Sequence, residues 1–145
     1  MMIRGAAFGI AIALTAPAHA AGVREIGPAD PLRKPVLDRL HREVDAAIAQ
    51  PNQFVVSKLR QQGDWVYAEV TPQTPAGKPI DIAKSAFAEL EKEGMLDSHI
   101  IYALLQRGKS GWTVRSWQMG PTDVVQAGWP EEFGVSHELV GLRRP

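Results

Sequence analysis

No cysteine occurs among the 145 residues. Without a thiol the chain has no disulfide to close a loop, no thiolate nucleophile, no sulfur ligand for zinc and no attachment point for a lipid. Neither sign of charge is in excess, since 16 basic side chains stand against 16 acidic ones. A balance of that kind leaves no electrostatic footprint for nucleic acid or an anionic membrane surface. Beyond the first twenty residues no apolar run approaches the roughly 18 residues that a membrane-crossing helix needs. Stability therefore has to come from an apolar core, and the length suits one domain.

What the chain does have begins with an export pattern. Arg4 supplies a positive charge, Ala6 to Ala16 an apolar stretch, and Ala18-His19-Ala20 an A-x-A site. Charge, apolar run and small-residue site in that order read as a secretory signal peptide over residues 1–20, cleaved after Ala20. Removal of those residues leaves 125 residues with 15 basic and 16 acidic side chains, a formal charge of −1. The expected destination is the periplasm, with no stable membrane anchor after cleavage.

The organising stretch is His99 to Met119. Ile100 to Leu105 is β-rich, Gly108-Lys109-Ser110-Gly111 supplies a turn, and Trp112, Val114 and Trp117 resume the strand pattern. Two apolar runs around a short Gly-bearing segment are a hairpin signal. Ile101, Ala103 and Leu105 alternate with Ile100, Tyr102 and Leu104, so the first strand is apolar on both faces. A sheet with one wet face alternates apolar with polar. This strand is therefore expected in the middle of a sheet covered on both sides, and the covers must lie elsewhere in the chain.

Residues 21–33 carry glycine and proline without periodicity and read as a flexible lead-in to a domain over residues 34–145. Leu37, Leu40, Val44, Ala47 and Ile48 recur at helical spacing, with Pro35 in the first turn and Pro51 beyond the end. The spacing predicts a helix over Pro35 to Ala49, the first cover, with Asp38 paired to Arg42 on its outer side. Phe54 to Gln61 and Trp65 to Val70, around Gln62-Gly63-Asp64, predict a second hairpin, with Lys58 and Arg60 on the same face as Phe54 and Val56. Thr71 to Pro79 is a proline-rich loop, and Ile82 to Lys92 is expected to be a helical insert stopped by Gly94. Thr122 is placed as the cap of a short helix over Asp123 to Ala127. Trp129 to Gly134 predicts one more helical turn. Trp129, Phe133, Leu139 and Leu142 are too many large apolar groups for a free tail, so this segment is the second cover. The fold class is α+β: an N-terminal helix on a curved four-stranded antiparallel sheet of two hairpins, with a helical insert and a short helical C-terminal segment.

Gly63-Asp64-Trp65-Val66-Tyr67, Ala103-Leu104-Leu105-Gln106-Arg107 and Gly111-Trp112-Thr113-Val114 resemble the strand pattern of cystatin-like and nuclear-transport-factor-2-like α+β proteins. With Gly120-Pro121-Thr122-Asp123-Val124 and Trp129 to Gly134, the set resembles small exported proteobacterial proteins of unknown function. The resemblance implies a helix lying across a curved antiparallel sheet, and it carries no catalytic residue across.

Few motifs point to chemistry. Gly108-Lys109-Ser110 matches the tail of a P-loop, but Ala103 stands where the leading glycine belongs and a strand follows instead of a helix. Ser136-His137-Glu138 has triad residue types, yet adjacent residues do not supply triad geometry. His41, His99 and His137 are too scattered for a ligand set. The remaining cluster is Asp97-Ser98-His99 at the mouth of the central strand. It reads as an acid–base pair at a pocket rim with Tyr102 nearby, or as a turn in which Asp97 or Ser98 bonds local backbone. Trp65, Trp112, Trp117 and Trp129 line a ligand cavity in one reading and fill the core in another.

The pocket candidates are Asp97, His99, Tyr102, Trp117 and Asp123. The expected function is non-catalytic binding of a small ligand or of a periplasmic protein, with no cofactor and no metal. The alternative is an enzyme with an acid–base pocket around His99 and a carboxylate, Asp97 or Asp123. A homodimer through an uncovered sheet face is a further expectation.

Overall fold

The computed structural model describes residues 21–144; the signal peptide expected over residues 1–20 lies outside them. Five strands form one antiparallel meander: β1 (Arg24–Glu25), β2 (Gln53–Gln62), β3 (Trp65–Gln73), β4 (Ile101–Gly108) and β5 (Gly111–Met119). Both expected hairpins are present. Gly63 and Asp64 join β2 to β3, and Gly63 takes φ 56°, a left-handed value that glycine adopts without a Cβ penalty. Lys109 and Ser110 join β4 to β5 inside the pair Gly108 and Gly111.

The sheet has five strands where four were expected. Arg24 and Glu25 pair with Gln61 and Arg60 on the margin of β2. Side chains reinforce the pairing: Arg24 donates to Gln61 at 2.7 Å and Arg60 to Glu25 at 2.7 Å, while buried Ile26 donates its N–H to the Leu59 carbonyl at 2.8 Å. Two residues carry no periodicity, so nothing in the segment announces a strand.

The first cover is α1 (Arg33–Ile48), which starts two residues ahead of the expected Pro35. The Asp30 carboxylate accepts the Leu32 N–H at 2.9 Å and an ion pair from Arg24, which fixes the entry to the helix. Ala49 closes it in the left-handed region at φ 57°, its N–H on the Asp45 carbonyl at 2.9 Å. Asp38 pairs with Lys34 at 2.6 Å instead of Arg42, whose place is at the β5 side of the helix. Val36, Leu40, Val44 and Ile48 are fully buried at intervals of one turn. They press on Leu59, Val66, Ala68, Val70, Ile101, Ala103 and Leu105 of the sheet's inner face. Each such aliphatic side chain contributes about 1.5–3 kcal/mol by leaving water.

A bulge corrects the expected facing of β2. The register slips between Val56 and Lys58, leaving Ser57 unpaired. One extra residue reverses the alternation. Phe54 and Val56 therefore point to the inner core with Leu59, while Lys58 lies beside Glu69 on the outer face. A second bulge at Arg115 separates the pairs Leu104–Ser116 and Leu105–Val114.

The outer face holds Trp65, Tyr67 and Leu104 under the C-terminal segment. A 3-10 turn at Val125–Gly128 leads into α3 (Trp129–Phe133), and Trp129, Val135, Leu139 and Val140 are buried against the sheet. Trp129 meets Tyr67 edge-on at 6.1 Å, and Phe133 meets Trp65 at 5.9 Å. The turn starts later than the expected Asp123, and Thr122 makes no capping bond. The insert is likewise broken, into a 3-10 turn (Ile82–Lys84) and α2 (Ala88–Lys92). Ser85 divides them, donating its hydroxyl to the Ile82 carbonyl at 2.8 Å and accepting the Phe87 N–H at 3.1 Å. β4 is thus central and covered on both sides, as its doubly apolar pattern requires. No helix among the described residues is long and apolar enough to cross a membrane.

Candidate functional site

The entrance to β4 is shaped by Gly120. Its N–H donates to the Ile100 carbonyl at 2.8 Å, and its carbonyl accepts the Asp97 N–H at 3.0 Å. Gly120 sits at φ 52°, and a Cβ placed there would lie 1.9 Å from the Ser98 carbonyl oxygen. Only glycine permits this approach of two chain segments. Ser98 accepts the Ile100 N–H on its hydroxyl at 3.2 Å, the local backbone bond of a turn former.

That arrangement separates the residues of the acid–base reading. Asp97 is exposed and His99 half-buried. Among the described residues His99 makes neither an ion pair nor a side-chain hydrogen bond, and neither residue lines the groove that holds Trp117 and Asp123. Tyr102 faces the outer layer, paired across the ladder with Glu69. Trp117 and Asp123 alone among the five candidates come together.

They meet in a groove of about 560 Å³ beyond the C-terminal end of β5. One wall is the segment that carries Phe87, Leu90 and Met95; the floor is Trp117 and Met119; Pro121 and Val125 close the far side, with Gln118, Thr122 and Asp123 polar at the rim. Phe87 packs edge-on against Trp117 at 6.1 Å, which ties the insert to the sheet. Four large hydrophobic side chains are exposed among the described residues, and two of them line this groove: Leu90 at 39 % and Met95 at 50 %. Singly exposed apolar residues are ordinary, whereas apolar residues gathered on a concave surface mark a binding site. The volume falls within the roughly 300–1,000 Å³ of small-molecule sites. Its chemistry is burial of apolar surface with a carboxylate and an amide at the margin.

Sequence reasoning missed a polar group on the outer face. The Tyr67 hydroxyl donates to Glu69 at 2.7 Å, and Lys58 reaches the same carboxylate oxygen at 3.3 Å. Burial, and then the hydrogen bond to Glu69, push the Tyr67 hydroxyl well above its ordinary value of 10.0. Burial and the Glu69 charge also raise Tyr102. The strand Trp65 to Val70 that carries both residues was expected, but the bulge that sets Lys58 opposite Glu69 was not. This group is satisfied within the protein and holds the outer layer together.

The other motifs take bland places. Gly108-Lys109-Ser110 is the hairpin turn. Ser136 donates to Gln62 at 2.5 Å and accepts the Leu139 N–H at 3.1 Å, so it secures the C-terminal segment. Trp65 and Trp129 fill the outer core, Trp112 packs against the inner one, and Trp117 faces the groove. No group of three or more His, Cys, Asp or Glu side chains suited to a metal occurs among the described residues. No family model matches the chain, and no curated protein or solved structure matches it.

Proposed function

We propose that the protein is exported to the periplasm and acts there as a non-catalytic binding protein, with the groove beyond β5 as its site. The observation that carries this is the pairing of exposed Leu90 and Met95 on the wall of a concavity floored by Trp117 and Met119. A core already filled on both faces of the sheet has no need of them, and their exposure costs free energy that a ligand restores. The fitting ligand is a small molecule with an apolar body and no negative charge, since Asp123 stands at the rim. An apolar segment of another periplasmic protein is the macromolecular form of the same chemistry. The signal-peptide pattern over residues 1–20 supports the compartment. The cystatin-like or nuclear-transport-factor-2-like reading belongs with it: α1 lying across an antiparallel meander supports that likeness.

Native mass spectrometry of the chain recovered from a periplasmic fraction tests both halves. The expected species begins at Ala21 and carries a small-molecule or protein adduct, lost in Met95→Arg. A chain that retains residues 1–20 in the cytoplasm overturns the export reading. An adduct that survives Met95→Arg overturns the site.

A further inference from the structure

The outer edge of β5 is the longest open margin of the sheet. β5 has nine residues, pairs only with β4, and accepts no other backbone hydrogen bond among the described residues. The opposite margin is blunted by the two-residue β1 and by the bulge at Ser57. An open strand edge invites a further strand.

Charge is distributed unevenly along this edge. At its start, Arg39 and Arg42 of α1 line a cleft with Trp112, Arg107 stacks on the Trp112 ring at 5.4 Å, and Lys109 stands in the turn. Two carboxylates offset these four cations, Glu43 on Arg39 and Asp64 on Arg107; Arg42 and Lys109 make no ion pair among the described residues. At the other end the segments that wall the groove carry exposed Glu89, Glu91, Glu93, Asp97 and Asp123 against Lys92 alone. The edge is basic where it begins and acidic where it ends.

A surface polarised in this way complements itself. A two-fold axis normal to the sheet sets two β5 strands side by side and antiparallel, so that Gly111 of one copy lies beside Met119 of the other. The same operation keeps the α1 side of both copies on one side of the joined sheet. Phe87 and Trp117 pack on that side too. Arg39 and Arg42 of each copy then approach the Glu89–Asp97 segment of the other, and the contact is made twice. Arg115, close to the axis, draws its guanidinium back over its own Trp65 and Phe133 at 5.8 and 5.4 Å. It therefore does not oppose its counterpart. We infer that the free edge of β5 pairs antiparallel with β5 of a second copy of this chain, forming a continuous ten-stranded sheet. Each copy's basic end closes the acidic rim of the other's groove.

Sedimentation equilibrium of the chain from Ala21 to Pro145, which contains every described element, tests this. At low ionic strength the expected species is a dimer that weakens about 10-fold or more when salt rises to ~0.5 M, as exposed ion pairs are screened. Arg39→Glu with Arg42→Glu should yield monomer, as should Glu89→Arg with Glu91→Arg, each with an unchanged far-ultraviolet circular dichroism spectrum, since Arg42, Glu89 and Glu91 are exposed and half-buried Arg39 lends its charge to Glu43 alone. The four changes in one chain should restore the dimer, since each copy then presents reversed charge at both ends. A wild-type monomer at all concentrations overturns the inference. So does a dimer indifferent to either reversal, or a four-fold variant that stays monomeric. Ligand capture in the groove is read by the adduct mass, so loss of the dimer and loss of the binding reading are separate results.

Discussion

Gly120 has almost no latitude. Its left-handed φ and the Ser98 carbonyl oxygen, 1.9 Å from where a Cβ would stand, are independent obstacles to a side chain. Gly120→Ala should therefore cost on the order of 3 kcal/mol, read as a lowered urea midpoint at unchanged slope; an unaltered midpoint would contradict the close approach. Tyr67 makes a different demand. Its folded pKa is raised, so the stability this hydroxyl contributes is whole below the unfolded value of 10.0 and is lost as pH climbs from there toward the folded value. Wild-type stability should fall above about pH 10, and Tyr67→Phe should flatten that fall, leaving the smaller share due to Tyr102. Equal alkaline slopes in the two proteins would show Tyr67 ionising freely in the fold. Neither residue was singled out from the sequence. Gly120 stands there within the set Gly120-Pro121-Thr122-Asp123-Val124, and Tyr67 within the expected strand Trp65 to Val70.

Among the elements, those with strong periodicity were legible and those held by side-chain bonds were not. Val44, Leu40 and Ile48 mark α1 by their spacing, and the doubly apolar run from Ile101 to Leu105 marks β4 as a covered central strand. The bulge at Ser57 was invisible because alternation on either side of it looks regular; it moved Lys58 and Arg60 to the outer face. Ser85 split the insert through two bonds that periodicity does not encode. The C-terminal segment was recognised from its large apolar groups alone, and it yields the sharpest prediction at this scale. Trp129→Ala removes the side chain that caps Tyr67 and should cost ~3–5 kcal/mol, with loss of near-ultraviolet circular dichroism from the outer layer. A change below about 1 kcal/mol would mean that the segment lies loosely on the sheet.

For the molecule as a whole, two filled layers on one sheet leave the apolar surface beyond β5 as the conspicuous exception. Of the residues proposed from the sequence, Trp117 and Asp123 reach that groove, whereas Asp97, His99 and Tyr102 do not. The reason is geometric: the groove is made by the insert folding back to the end of β5, a long-range contact between Phe87 and Trp117 that no local pattern foretells. Leu90→Arg and Met95→Arg, both at exposed positions, should abolish ligand binding while shifting stability by less than about 0.5 kcal/mol. The most direct measurement is nuclear magnetic resonance mapping of the chain titrated with decanol, a neutral apolar probe. Shifts confined to Phe87, Leu90, Met95, Trp117 and Met119, and absent in Met95→Arg, are the predicted result. Saturation without shifts at these residues, or shifts centred on Tyr67 and Leu104 beneath the C-terminal segment, would contradict it.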